Sequence, residues 1–182
     1  MKYSIEQLIR GAGAPQRFLF FWGHTPPLDG SISQTCFSQW YESPFEVEGD
    51  VYPTAEHWMM AEKARLFNDQ ERLDEILTVK TPGEAKKLGR AVQNFDQSRW
   101  EARRFDIVKT GNLHKFEQNP AMKAFLLGTG HRVLVEASPL DAIWGIGLAK
   151  DHGHARQPQN WRGLNLLGFA LMEVRDQLSY ID

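Results

Sequence analysis

Two acids in this chain stand where a carboxylate is unusual. Asp141 lies in PLDAIWGIG, residues 139–147, three positions before Trp144 and on a stretch thinned by Gly145 and Gly147. Glu56 lies in PTAEHWMMAEKARLF, residues 53–67, two positions after Thr54, a residue suited to cap a helix start. On that helix Glu56, Met60, Lys63 and Phe67 recur at steps of three and four, so they share a face. A glutamate in the first turn has two readings. It is either an exposed anion favoured by the positive end of the helix dipole, or an ionised carboxylate aimed into a cleft. Met60 and Phe67 on the same face argue for the cleft, with Lys63 about two turns further along to receive a phosphate. Two such acids suit cleavage of a bond from a sugar's anomeric carbon to oxygen or nitrogen. Positive charge builds on the ring, the leaving group needs a proton and water needs a base. The dipole favours Glu56 as the anion, while an aspartate walled by Trp144 suits a raised pKa and the acid's role; the reverse assignment stays open.

Other constellations fall short. GIGLAK, residues 145–150, puts Lys150 where the third glycine of a dinucleotide fingerprint belongs. There is no GxxxxGK[ST] phosphate loop and no GxSxG elbow. DHGH offers Asp151, His152 and His154 as metal ligands, but without a second cluster at ligand spacing no metal is expected. Cys36 with His57 supplies a nucleophile and a base in name only, since one cysteine and scattered histidines form no motif; His57 reads as support for the helix start. The aromatic content stands out: tryptophans at 22, 40, 58, 100, 144 and 161, and eleven phenylalanines. An indole has a large flat face and an N–H donor, so it serves either core packing or stacking on a heterocycle.

The elements that must position these residues make a helix-rich α+β pattern with few, short strands. SIEQLIR is a short helix stopped in the Gly11–Gly13 region, and residues 17–22, RFLFFW, read as a buried strand followed by a long Gly/Pro/Ser loop. Residues 45–52 suit a small hairpin around Glu48, Gly49 and Asp50. A helix then runs from Thr54 to Phe67. TPGE at 81–84 has the form of a capping box with Pro82 at the first helical position, opening a helix to about Val92. SRWE at 98–101 repeats that form and points to a helix towards Phe116, with Gly111 as a potential break. Asn119 and Pro120 open another helix that stops at Gly128; residues 132–137, RVLVEA, read as a strand; NLLGFALMEVRDQL closes the chain as an amphipathic helix. The strand–helix alternation of a doubly wound sheet is missing.

A chain of 182 residues is most economically one domain, here 1–182. The single cysteine excludes an internal disulfide and fits a reducing cytosol. The N-terminus has no apolar signal core, and no apolar run nears the ~18–20 residues of a membrane span, so a cytoplasmic protein without a membrane partner is expected. A net charge of −2 gives no general pull towards nucleic acid.

Across roughly residues 17–178 the chain resembles the YbiA-like, or NADAR, family of N-glycosidases. The resemblance is carried, in order and at consistent spacing, by FLFFW, FSQWYESPFEVEG, YPTAEHWMMAEKA, AKKLGR, the tryptophan of SRWEARRFDIV, NLHKF, LLGTGHRVLVEASPLDAIWGIG and NWRGLNLLGFALMEVR. It implies a predominantly helical single domain and cofactor-free hydrolysis of a ribosyl C–N bond. The implied substrates are ribosylaminopyrimidine phosphates of riboflavin biosynthesis or, alternatively, ADP-ribose linked to guanine, with nucleic acid entering only as a modified substrate. A module that binds ADP-ribose or an NAD derivative without catalysis is the reading from another class. By position, the glutamate of the family's TAEH motif is Glu56, the aspartate of its D-x-x-WG motif is Asp141, and the aromatic positions are Trp100 and Trp144. Trp40, Trp22, Lys63, Arg162 and Asn165 complete the expected substrate-binding set. Some relatives have SNFY where this chain has Ser38, Gln39, Trp40 and Tyr41, a change that bears on the pocket rather than the reaction. On this reading the glycines beside Trp144 let the backbone approach a ligand closely.

Overall fold

The computed structural model describes residues 1–11, 13 and 16–180. Its strands are few because most apolar runs are periodic at helical spacing. Strand β1, Phe18–Phe21, pairs in parallel with β4, Val133–Glu136, in a register that sets Phe18 against Val133 and Phe21 against Glu136. Strands β2, Phe45–Val47, and β3, Asp50–Tyr52, form the expected hairpin, turned by Glu48 and Gly49 at φ 54° and 90°. Two successive positive φ values are what a two-residue hairpin turn matched to strand twist requires.

Among the described residues, seven α-helices surround these strands. Helix α1, Ile5–Arg10, is capped by Ser4 and ends on Gly11; the rest of the expected stop passes through Ala12, outside the described residues. Helix α2, Ala55–Leu66, begins at Thr54 as expected, and α4, Pro82–Arg90, has the full capping box of Thr81 and Glu84. Helix α3, Gln70–Thr78, is not among the elements expected from the sequence. QERLDEILT buries only Leu73 and Ile76, and its cap, Asp69, follows no recognisable box. Helix α5, Gln97–Glu117, starts one residue before Ser98 because Asp96, not Ser98, accepts the Arg99 N–H at 2.7 Å. Gly111 does not break it. A methyl group there would overlap the Trp58 ring of α2, whose indole N–H donates to the Ile107 carbonyl at 2.8 Å, so this glycine seats a tryptophan on the helix. Helix α6, Pro120–Leu127, and α7, Leu166–Ser179, follow the expected boundaries to within a residue or two. Among the described residues no helix is long and apolar enough to cross a membrane.

The β1–β4 pair sits inside this helical shell, with Val133, Leu134 and Val135 buried. Helix α7 lies against β4 at backbone distance: a Cβ on Gly168 would overlap the Leu134 carbonyl oxygen. That close approach decides the sign of a substitution. In an open helix, glycine to alanine gains up to ~1 kcal/mol. At Gly168 the added methyl must push α7 off the strand, and overpacking of that kind costs about 1–3 kcal/mol. Gly168→Ala should therefore lower the midpoint of thermal unfolding, whereas Gly83→Ala, whose Cβ would meet only Trp40 at 3.8 Å, should leave it unchanged or raise it.

Candidate active site

Glu56 is placed by the start of α2. The Thr54 side chain accepts from the His57 N–H at 3.4 Å and is 2.8 Å from His57 Nδ1, while the Glu56 N–H donates to the Gln39 carbonyl at 2.9 Å. The side chain turns inward. Glu56 is 3% exposed, and its Oε1 is sealed from solvent without a hydrogen-bond partner. Burial pushes its pKa up to about 7; Lys86 of α4, the Trp40 side chain and Arg90 oppose the shift, and the charge of Asp141 adds to it. The helix dipole, expected to keep this carboxyl ionised, is outweighed by desolvation of the charged form.

Asp141 stands on the loop after β4, and the loop is built around it. Its Oδ1 accepts the N–H groups of Ile143 and Trp144, both at 2.8 Å, and its carbonyl accepts from Gly147 at 3.1 Å. The carbonyls of Ala142, Ile143, Trp144, Gly145 and Ile146 in turn accept from Leu164, Leu166, Leu167, Asn165 and Arg162. The first amides of α7, which have no intrahelical acceptor, are thus satisfied by the Asp141 loop. The glycines serve this stitching. A Cβ at Gly145 would lie 2.8 Å from the Glu136 carbonyl oxygen, and one at Gly163 would overlap the Gly145 oxygen; Gly147 has φ +65°. Trp144 is half-buried against the core.

A third carboxyl joins these two, and it was not among the residues expected from the sequence. Glu136 ends β4, where a polar residue after three buried aliphatics reads as the strand's solvent-facing terminus. Its N–H donates to Asn165 Oδ1 at 3.0 Å and its carbonyl accepts from Ile146 at 2.9 Å. The side chain is half-buried, with Oε2 sealed and unpartnered. Burial raises its pKa to about 8, the negative charges of Asp141 and Glu56 add to that, and Lys86 opposes it. Lys86 therefore acts on both buried glutamates, and Arg90 on Glu56 as well.

The remaining candidates divide. Trp40 is half-buried with its ring 5.6 Å from that of His24, and Lys86 Nζ stands 5.7 Å from its centroid, which joins both to the carboxyl cluster. Lys63 donates to the Gly89 carbonyl at 2.8 Å and lies 4.4 Å from the Phe95 centroid and 5.6 Å from that of Trp100. That bond sits at the end of α4 and uses one of the three donors of the ammonium. Asn165, expected to touch substrate, is fully buried at φ 52°. Its carboxamide is taken up by β4, Oδ1 with Glu136 and Nδ2 with the Leu134 carbonyl at 3.0 Å. Trp22 is 56% exposed immediately after β1, and Arg162 is exposed beside Gly147.

Cys36 is buried, which pushes its thiol up to about 11, and His57 is sealed with Nδ1 on Thr54. His152 and His154 sit on an exposed turn, where the His154 N–H donates to His152 Nδ1 at 3.1 Å. Among the described residues no three His, Cys, Asp or Glu side chains converge to hold a metal. A concavity of about 660 Å³ opens at the opposite end of the strand pair, near Arg17 and Arg132, away from the carboxyls.

Comparison with known proteins places the chain in a family. The model of the NADAR domain family matches residues 20–179. The chain is 42% identical to an N-glycosidase of Acanthamoeba polyphaga mimivirus, over 88% of this chain and 96% of that one. It is 35% identical to the N-glycosidase YbiA of Escherichia coli (strain K12), over 79% and 81%. The NMR structure of E. coli YbiA superposes with a TM-score of 0.71 at 31% identity, covering 92% of this chain and 89% of that one. Its expected helix-rich α+β architecture is the architecture of that relative, and the chain belongs to the NADAR domain family.

Proposed function

We propose that this protein is an N-glycosidase, a hydrolase that cleaves the C–N bond between ribose and a flat heterocycle, with a ribosylaminopyrimidine phosphate as its substrate. The observation that carries the reading is the buried Glu56 carboxyl, tuned to about 7 beside Asp141 and Lys86. The names of the mimiviral and E. coli relatives support the reaction class. A proton-transfer group works best when its pKa lies near the working pH, and Glu56 meets that condition. In its ionised form it takes a proton from the attacking water. Asp141, fixed through Oδ1 by two backbone N–H groups, holds a negative charge beside the sugar as the oxocarbenium-like centre develops. Trp40, Trp100 and Trp144 are the half-buried indoles available to stack on the base, and Lys86 and Arg90 are the cations available to a phosphate. A purified-protein panel of ribosylaminopyrimidine phosphate, ADP-ribosylated guanosine and ADP-ribose, with released base read by chromatography, tests this. Turnover of the second alone moves the assignment to guanine de-ADP-ribosylation, and tight binding without turnover of any leaves a binding module.

Glu56→Gln keeps shape and removes basicity. Turnover should fall at least ~10²-fold with little change in substrate affinity, because the lost interaction matters only near the transition state. In the native enzyme the rate should rise with pH up to about 7 as Glu56 ionises, and single-turnover rates across pH read that limb. The stability of the same variant has a defined sign. A carboxyl whose folded pKa is raised binds its proton more tightly when folded, so its contribution is fully present below the unfolded value of 4.5 and is lost as pH rises through about 7. Glu56→Gln should thus melt higher than the native protein at pH ~8 and converge with it near pH ~4. Trp144→Ala separates stacking from packing: a base-stacking indole loses about 1–3 kcal/mol of binding in a ligand titration, whereas a core plug would lose ~3–5 kcal/mol of folding stability in a melt.

A further inference from the structure

We infer that Glu136, at the end of β4 under the Asp141 loop, is the acid that protonates the leaving nitrogen. The inference rests on the N-glycosidase reading and adds to it a residue with a separate task. Its placement carries the argument. The Glu136 backbone is fixed on both sides, by Asn165 Oδ1 on its N–H and by Ile146 on its carbonyl, and the loop that presents Asp141 returns across it at Gly145. The side chain emerges half-buried with Oε2 sealed from water and without a partner. The charged groups that act on Glu136 are Asp141 on the loop, Glu56 on α2 and Lys86 on α4; Arg90 of α4 acts on Glu56. Two acids and one amine leave a third carboxylate uncompensated, and a buried unpaired charge is far more costly than a neutral acid.

The other two carboxyls suit this task less well. Asp141 Oδ1 accepts two backbone N–H bonds, an arrangement made for a carboxylate rather than for a carboxylic acid seeking an acceptor. Glu56 has the Trp40 side chain and Arg90, besides Lys86, to favour its charged form, whereas Glu136 has Lys86 alone. Burial and two acidic neighbours favour the protonated form of Glu136, whose sealed oxygen has no hydrogen-bond partner in the protein. A nitrogen on which negative charge develops supplies one. As the C–N bond breaks, its electron pair goes to the leaving nitrogen and the Glu136 proton passes to that nitrogen. Water oxygen then bonds to the sugar carbon and its proton passes to Glu56. Transfer of that proton from Glu56 back to Glu136 restores both groups, and the sum is one water consumed.

An acid that serves only the leaving group is dispensable when the leaving group needs no proton. Nicotinamide mononucleotide, a ribosyl pyridinium that departs as neutral pyridine, is that probe. Glu136→Gln should lose at least ~10²-fold in kcat/KM on ribosylaminopyrimidine phosphate yet stay within about threefold of the native enzyme on the pyridinium. Glu56→Gln should lose on both. The native kcat/KM on the aminopyrimidine should fall above pH about 8 as Glu136 ionises, and Glu136→Gln should lack that limb. Equal loss on both substrates would make Glu136 a structural residue, and native activity of Glu136→Gln on the aminopyrimidine would remove it from the mechanism. If the native enzyme turns over the aminopyrimidine but not the pyridinium, persistence of the basic limb in Glu136→Gln overturns the assignment. A native enzyme that releases base from no riboside overturns the N-glycosidase reading itself, and the acid's role with it.

Discussion

One buried carboxamide joins the pieces on which the site depends. Asn165 sits at the start of α7 in a left-handed conformation, accepts from Glu136 and donates to the Leu134 carbonyl, and its own N–H reaches Gly145. It therefore binds the end of β4, the Asp141 loop and the helix start into one unit. Each of its polar groups replaces a bond that the backbone would otherwise lack, since a strand end and a helix N-terminus both leave amides and carbonyls without regular partners. The glycines at 145, 163 and 168 let three backbones meet at that point. Two of the three carboxyls, Glu136 and Asp141, thus belong to a single rigid piece; the third, Glu56, comes from α2.

Bringing three carboxyls together inside a protein works against stability, and the local electrostatics show how little is done to relieve it. Lys86 opposes the shift at both Glu56 and Glu136, but burial is the largest cause at each and the acids reinforce one another. A structure selected for stability alone would place amides or aliphatics here. Residual strain of this kind is common where proton transfer is the task, because a carboxyl held near neutrality both gives and takes a proton at working pH. It also explains why the supporting shell is so fully bonded: the loop and helix start have to hold in place groups that repel.

Much of this was legible in the chain. The capping signals at Thr54 and at Thr81 with Glu84 located α2 and α4, and hence Glu56 and Lys86, because helix caps are local chemistry. The hairpin at 45–52 was equally local. What escaped depended on contacts far apart in sequence. Gly111 reads as a break until Trp58 is seen resting on it, and the stripe of α3, Leu73, Ile76 and Leu77, is short and has no capping box to announce it. Glu136 escaped because a strand-terminal glutamate is ordinary; only the loop folding back across it, and the acids brought from α2 and residue 141, make it unusual. Asn165 differs in the opposite sense: its carboxamide has the right chemistry for a ligand, and the fold uses it internally, on β4.

Helix position and burial act on Glu56 in opposite directions, for a reason that extends beyond this chain. A first-turn glutamate gains ~0.3–1 kcal/mol from the helix dipole, whereas full burial moves a carboxyl's pKa by up to 3–5 units, several times that energy. Local position therefore decides charge only when the side chain stays in water. Glu56 leaves the water because Gln39 and Trp40 close over the start of α2, the first through its carbonyl on the Glu56 N–H and the second through its indole. Those two residues occupy the segment in which this chain departs from relatives with SNFY. The departure lies against the carboxyl rather than at a distant edge of the pocket, so the segment that differs is also one that sets the protonation of Glu56.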